Sequence, residues 1–181
     1  MSNAIPTVME KLIFKPFGPY RFIGKGICAA PGSGEIFGAL WKDWDNIVEQ
    51  FMKSMKEYMV DEEPFNVALL DNKGLEEFDN KMWYTIGFFM KPDTPVPNGY
   101  DFRDIPAIYV AEGHFKGELW DMVFSQHRIL QDAIFAQSEY VYYSPAFAVE
   151  VYIPETNADK DGISRMKYYI SCELNPDNSS K

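Results

Sequence analysis

The chain has 181 residues, enough for one domain of ordinary size or two small lobes, and its 46% hydrophobic content can fill a core. A formal net charge of −10, from 27 acidic against 17 basic residues, argues against nucleic-acid binding and against a polybasic role at a membrane surface. Cys28 and Cys172 are far apart with no CxxC spacing, so neither a metal site nor a redox centre is expected and no cofactor is implied.

After a proline-rich lead-in, Tyr20 to Ala29 reads as a strand, with Gly24 and Gly26 marking a bulge or a close approach of chains. Pro31-Gly32-Ser33-Gly34 breaks it, and Glu35 opens a helix whose apolar residues recur at helical spacing as far as Met59. Asp61 to Pro64 ends that helix, Phe65 to Leu70 is a short strand, and Met82 to Met90 is another. The stretch Asp93-Thr94-Pro95-Val96-Pro97-Asn98-Gly99 is a linker.

The order then repeats. Ile105 to His114 is a strand, Lys116-Gly117 a break, and Glu118 opens a helix carrying Leu119, Trp120, Val123, Phe124, Leu130 and Ile134 on one face. Strands over Ala146–Ile153 and Arg165–Leu174 follow, joined by a turn-rich segment. A strand-helix-strand-strand unit occurring twice predicts an α+β fold with about eight mostly antiparallel strands and two long helices. The expected layout is a single domain over 1–181. Its first repeat covers about 14–92, a linker 93–103, a second repeat about 104–175, and a frayed tail 176–181. With no signal peptide and no membrane-length apolar run, the expected location is the cytoplasm.

One residue stands out against this background. Glu150 interrupts the apolar run Phe147-Ala148-Val149-Glu150-Val151-Tyr152-Ile153, where a carboxylate is costly to bury without a partner. Alternation places Phe147, Val149, Val151 and Ile153 on a helix-packed face, and Ala148, Glu150 and Tyr152 on the other. The same parity gives Met166, Tyr168, Ile170 and Cys172 to the core and puts Tyr169 near Glu150. Trp83 and Tyr109 occupy matching positions on their strands. An outward sheet face is ordinarily solvated, but rings beside small residues suit a pocket floor better than a wet surface. Trp41 falls on the stripe of the first helix, and Trp120 sits in the first turn of the second, where it could cover a pocket mouth.

Ile105-Pro106-Ala107-Ile108-Tyr109-Val110, Gly117-Glu118-Leu119-Trp120 and Phe147-Ala148-Val149-Glu150-Val151-Tyr152 resemble the second half of GyrI-like proteins. That family is related to the effector-binding domains of BmrR-type and AraC-type regulators. The first half matches through its element order and Trp83-Tyr84-Thr85-Ile86-Gly87, so the resemblance covers roughly residues 14 to 175. It implies the duplicated fold and a pocket for hydrophobic, often cationic, small molecules. It also implies that Glu150 is the central pocket glutamate and Tyr169 a pocket tyrosine. With no DNA-binding helix-turn-helix, the chain resembles a stand-alone member.

The leading expectation is therefore a small-molecule binder, with Glu150, Tyr152, Tyr169, Tyr109, Trp83, Trp120 and Trp41 as candidate ligand contacts. A second reading makes the same cage a hydrolase of strained electrophiles, with Glu150 activating water. A third is a protein-interaction or haem-binding module, since haem-binding SOUL proteins share the architecture. His114 and His127 would be its candidate axial ligands.

Overall fold

The computed structural model describes residues 5–60, 66–71, 80–143 and 146–178, which contain nine strands and three helices in an α+β arrangement. In chain order the strands are β1 (Val8–Phe17), β2 (Tyr20–Ala29), β3 (Asn66–Asp71), β4 (Met82–Met90) and β5 (Asp101–Ile105). They continue with β6 (Ile108–Gly117), β7 (Tyr140–Tyr142), β8 (Phe147–Tyr152) and β9 (Ser164–Leu174). The helices are α1 (Gly34–Lys42), α2 (Trp44–Met55) and α3 (Leu119–Phe135). The expected helix stop at Asp61–Pro64 and the expected strand's first residue, Phe65, lie outside the described residues, as does 179–181 at the end of the expected tail. Pro176–Asn178, where that tail was expected to begin, forms one 3-10 turn.

The chain forms two units. One is Gly18–Ala107, and the other, called here the C-terminal unit, joins the segment up to Phe17 with everything from Ile108 onward. Within the first the strand order is β3-β4-β2-β5, and within the second β8-β9-β6-β1, with β7 also on β9. Every pairing inside the units is antiparallel. The two orders correspond position by position, which is the duplication expected from the sequence. They also show what the sequence hid: each edge strand comes from the segment leading into the other repeat. β1 precedes β2 in the chain yet pairs with β6, and β5 precedes β6 yet pairs with β2.

Three differences from expectation have local causes. The strand expected from Ile105 is cut at Pro106, which lacks a ladder donor, so Ile105 closes β5 and β6 begins at Ile108. The linker expected over 93–103 accordingly runs into β5 at Asp101. The first helix is two helices, broken at Asp43 (φ −101°, ψ 10°). The break lets neighbouring indoles reach different strands: Trp41 Nε1 donates to the Tyr84 hydroxyl at 2.9 Å, and Trp44 Nε1 to Asn66 Oδ1 at 2.6 Å.

α2 buries Trp44, Ile47, Phe51 and Met55 against Ile23, Ala68, Tyr84, Ile86, Phe88 and Met90, so the expected core face of β4 is the observed one. At the middle of this sheet Gly24 faces Gly87 across β2 and β4. A Cβ on either would come within 2.0 to 2.2 Å of the partner strand's backbone oxygen, so the strands approach as only paired glycines allow. In the C-terminal unit α3 packs on β6, β7 and β9 and turns Met122, Gln126, Leu130 and Ile134 inward. Its Glu118 carboxylate accepts the Trp120 N–H at 3.3 Å as an N-cap.

Candidate ligand-binding site

β8 owes its place to Ser171 on β9, whose hydroxyl accepts the Phe147 N–H at 2.9 Å and donates to the Phe147 carbonyl at 3.1 Å. From that anchor the register runs Ala148 to Ile170, Val149 to Tyr169 and Glu150 to Tyr168. Residues directly opposite in an antiparallel pair share a face. Tyr168, not Tyr169, therefore stands across from Glu150. The Tyr168 hydroxyl and His127 Nδ1 on α3 are 3.0 Å apart, so this face is the one the helix covers. The expected sidedness of β8 is thus reversed: Glu150 lies on the helix side and Val149 on the other. The physical reason is that five of the six residues of β8, from Phe147 to Val151, are buried on both faces. Apolar alternation then carries no information about which side meets the helix.

Glu150 is 4% exposed and accepts a hydrogen bond at 2.7 Å from the half-buried Tyr152 hydroxyl two residues along the same face. Burial, and next the neighbouring Glu150 and Tyr142, hold the Tyr168 phenol well above its ordinary pKa. His127 is an exposed residue of α3 whose ring is partly covered where it meets Tyr168, and that partial desolvation lowers its pKa. Burial pushes Tyr142 up to about 12. Tyr109 pairs with Cys172 in β9, on the Glu150 side, and its ring lies 5.8 Å from that of Tyr140. The Glu150 carboxylate thus lies on the side of the sheet that carries the raised phenols of Tyr168 and Tyr142, with the His127 ring at its edge. Such a layer can donate hydrogen bonds and hold a positive charge.

Tyr169 belongs to the opposite face. Lys15 Nζ lies 4.9 Å from its ring centroid, and Phe17 meets it edge-on at 6.0 Å. Its cross-strand partner is Glu112, a second carboxylate at 4% exposure. Glu112 Oε2 is 2.6 Å from Lys15 Nζ, and Glu112 Oε1 is 2.5 Å from His114 Nε2. Burial raises the Glu112 carboxyl, but hydrogen bonds from Lys15 and His114 outweigh it and the net shift is downward. Sequence reasoning missed this site although the signal was present: Glu112 interrupts Val110-Ala111-Glu112-Gly113 much as Glu150 interrupts its own strand.

Trp120 is 60% exposed, on the outside of α3's first turn. Trp83 and Trp41 belong to the 18–107 unit and lie on opposite faces of its sheet. Trp41 meets Tyr84 beneath the helices, whereas Trp83 is across from Asp71 and lines a cleft with Phe22, Leu69, Thr85 and Arg103. In that cleft the Arg103 guanidinium pairs with Asp71 at 2.7 Å, both side chains nearly buried. Of the two histidines, His114 is engaged by Glu112 and His127 by Tyr168. Among the described residues no three His, Cys, Asp or Glu side chains converge as metal ligands. No helix among them is long and apolar enough to cross a membrane.

No protein-family model matches the chain, and no curated protein matches it in sequence. Solved structures do resemble it. SAV2435 bound to tetraphenylphosphonium is 13% identical with a TM-score of 0.58, over 94% of this chain and 97% of that one. A candidate bacterial transcription-regulation protein of Staphylococcus aureus MU50 is 12% identical with a TM-score of 0.55, over 90% of this chain and 98% of that one. EcmrR, in a complex with DNA, is 15% identical with a TM-score of 0.56, over 91% of this chain but 57% of its own. At these identities the likeness establishes a shared fold.

Proposed function

We propose that the protein binds hydrophobic cationic small molecules, as an effector-binding domain of GyrI-like type, with Glu150 as the charge that selects them. The observation that carries the reading is a carboxylate 4% exposed in a layer of phenols and apolar side chains under α3. Desolvating a carboxylate is expensive, and a ligand cation offsets that cost where water cannot. Tyrosine rings add apolar contact and attraction for a cation over their faces. The shared fold with SAV2435, a protein that holds tetraphenylphosphonium, supports the same class of ligand.

Titration of the protein with tetraphenylphosphonium and with triphenylphosphine oxide, a neutral relative, tests this. Glu150→Gln keeps the shape and removes the charge. It should weaken the cation by about 30-fold or more, as expected when one member of a buried charge pair is lost, and the neutral compound by less than about twofold. Equal losses for the two compounds would overturn the assignment of Glu150 as the charge selector.

A further inference from the structure

Resting on that reading, we infer that the bound cation also carries uncharged hydrogen-bonding groups, such as ring amines or amides, and that Gln126 and Tyr142 are the residues that meet them. Gln126 is fully buried on the inner face of α3, in line with Met122, Leu130 and Ile134, a row of otherwise apolar side chains. Among the described residues neither its Nε2 nor its Oε1 has a hydrogen-bond partner. The Tyr142 hydroxyl on β7 is buried and orphaned in the same way, with Gln131 beside it but outside hydrogen-bond geometry.

Buried polar groups are almost always satisfied, because an unmet donor or acceptor loses its hydration for nothing. Three such atoms on two side chains under one helix are therefore open to a partner that the described residues do not supply. Both side chains face the sheet surface that carries Glu150. Gln126 points inward from α3, the helix whose His127 meets Tyr168, the residue across from Glu150. Tyr142 is across from Cys172, on the same side of β9 as Tyr168. A ligand whose charge sits at Glu150 and whose amino or amide groups reach the two orphans would satisfy all of them together. An apolar cation such as tetraphenylphosphonium would satisfy only the charge.

The test compares tetraphenylphosphonium with ethidium, an aromatic cation bearing two ring amines, on the intact protein and on Gln126→Met and Tyr142→Phe. Both substitutions keep side-chain volume nearly constant. Each should weaken ethidium by about tenfold, the loss of one buried hydrogen bond, and change tetraphenylphosphonium by less than about twofold. Without ligand Gln126→Met should raise the melting temperature, because an unsatisfied amide has been removed. Equal effects on the two cations overturn the inference while leaving the Glu150 reading intact. A lower melting temperature with ethidium affinity retained also overturns it, by making Gln126 a partner of buried water. If the unsubstituted protein binds neither cation, the parent reading falls and this inference with it. Should Gln126→Met fail to fold, Tyr142→Phe alone decides, since it removes one oxygen.

Discussion

The Tyr152 hydroxyl is the most direct handle on how Glu150 is held. It lies two residues away on the same strand face, so the hydrogen bond at 2.7 Å needs no rearrangement of neighbouring elements. Bonds to ionised groups contribute more than neutral ones, about 1.5–3 kcal/mol. Because Tyr152 is half-buried, water can replace part of what is lost. Tyr152→Phe should therefore destabilise by about 1.5 kcal/mol in urea titrations, with an unchanged denaturant slope. A variant as stable as the parent would mean that the hydroxyl is incidental to Glu150. At this scale the sequence was informative about the anomaly and silent about its surroundings. An acid in an apolar strand is visible in one dimension. Its pairing with Tyr168 rather than Tyr169 depends on register, and a strand buried on both faces gives no parity to read.

Among the elements, the exchange of edge strands makes Gly18 a pivotal position. β1 leaves its own repeat to pair with β6, and β5 leaves its own to pair with β2, so Gly18 follows β1 and Pro106 follows β5. Gly18 has φ +83°, and a Cβ placed on it would lie 2.5 Å from the Pro106 carbonyl oxygen. Gly18→Ala should thus suffer both a left-handed backbone penalty of about 1–2 kcal/mol and a backbone clash. Gly32 supplies the control, having φ +83° with nothing within 4 Å of its would-be Cβ. Gly32→Ala should show the backbone penalty alone, and the difference in melting temperature between the variants reports the contact with Pro106. Equal destabilisation of the two would show that the connections relax freely. The core strands and the extent of α3 were legible because their periodicity and breakers are local, but the face of α3 was not: Trp120 and Phe124 are exposed, and Met122 and Gln126 join Leu130 and Ile134 inside. β1 was not, because Glu10, Lys11 and Lys15 blur its alternation and its partner lies some hundred residues away.

For the molecule as a whole, acid should act unevenly on the two units. His127, an exposed residue, is lowered by the partial covering of its ring, and Glu112 is held below the ordinary carboxylate range by Lys15 and His114. Both belong to the C-terminal unit, and both have the same sign. The folded unit binds fewer protons than the unfolded chain, so stability rises with pH and is lost on acidification. For His127, exposed and so partly screened, a small loss begins as the unfolded ring titrates near pH 6.5, and for Glu112 the main loss follows below about pH 4.3 and continues through the depressed folded value. The Glu150–Tyr168–His127 layer and the Glu112–Lys15–His114 cluster lie on opposite faces of the β6–β9 ladder, so the ladder is weakened from both sides. Amide protection in β6 and β9, corrected for the pH dependence of intrinsic exchange, should therefore fall before that in β2 and β4 as pH drops from 7 to 4. His127→Gln keeps a hydrogen-bonding group near Tyr168 but cannot titrate, and should flatten the upper part of that loss while leaving the lower part. Earlier or simultaneous loss in β2 and β4 would place the acid sensitivity elsewhere. Because a bound cation would sit in the same layer, saturating ligand should delay the upper phase, coupling ligand occupancy to the pH response of one unit.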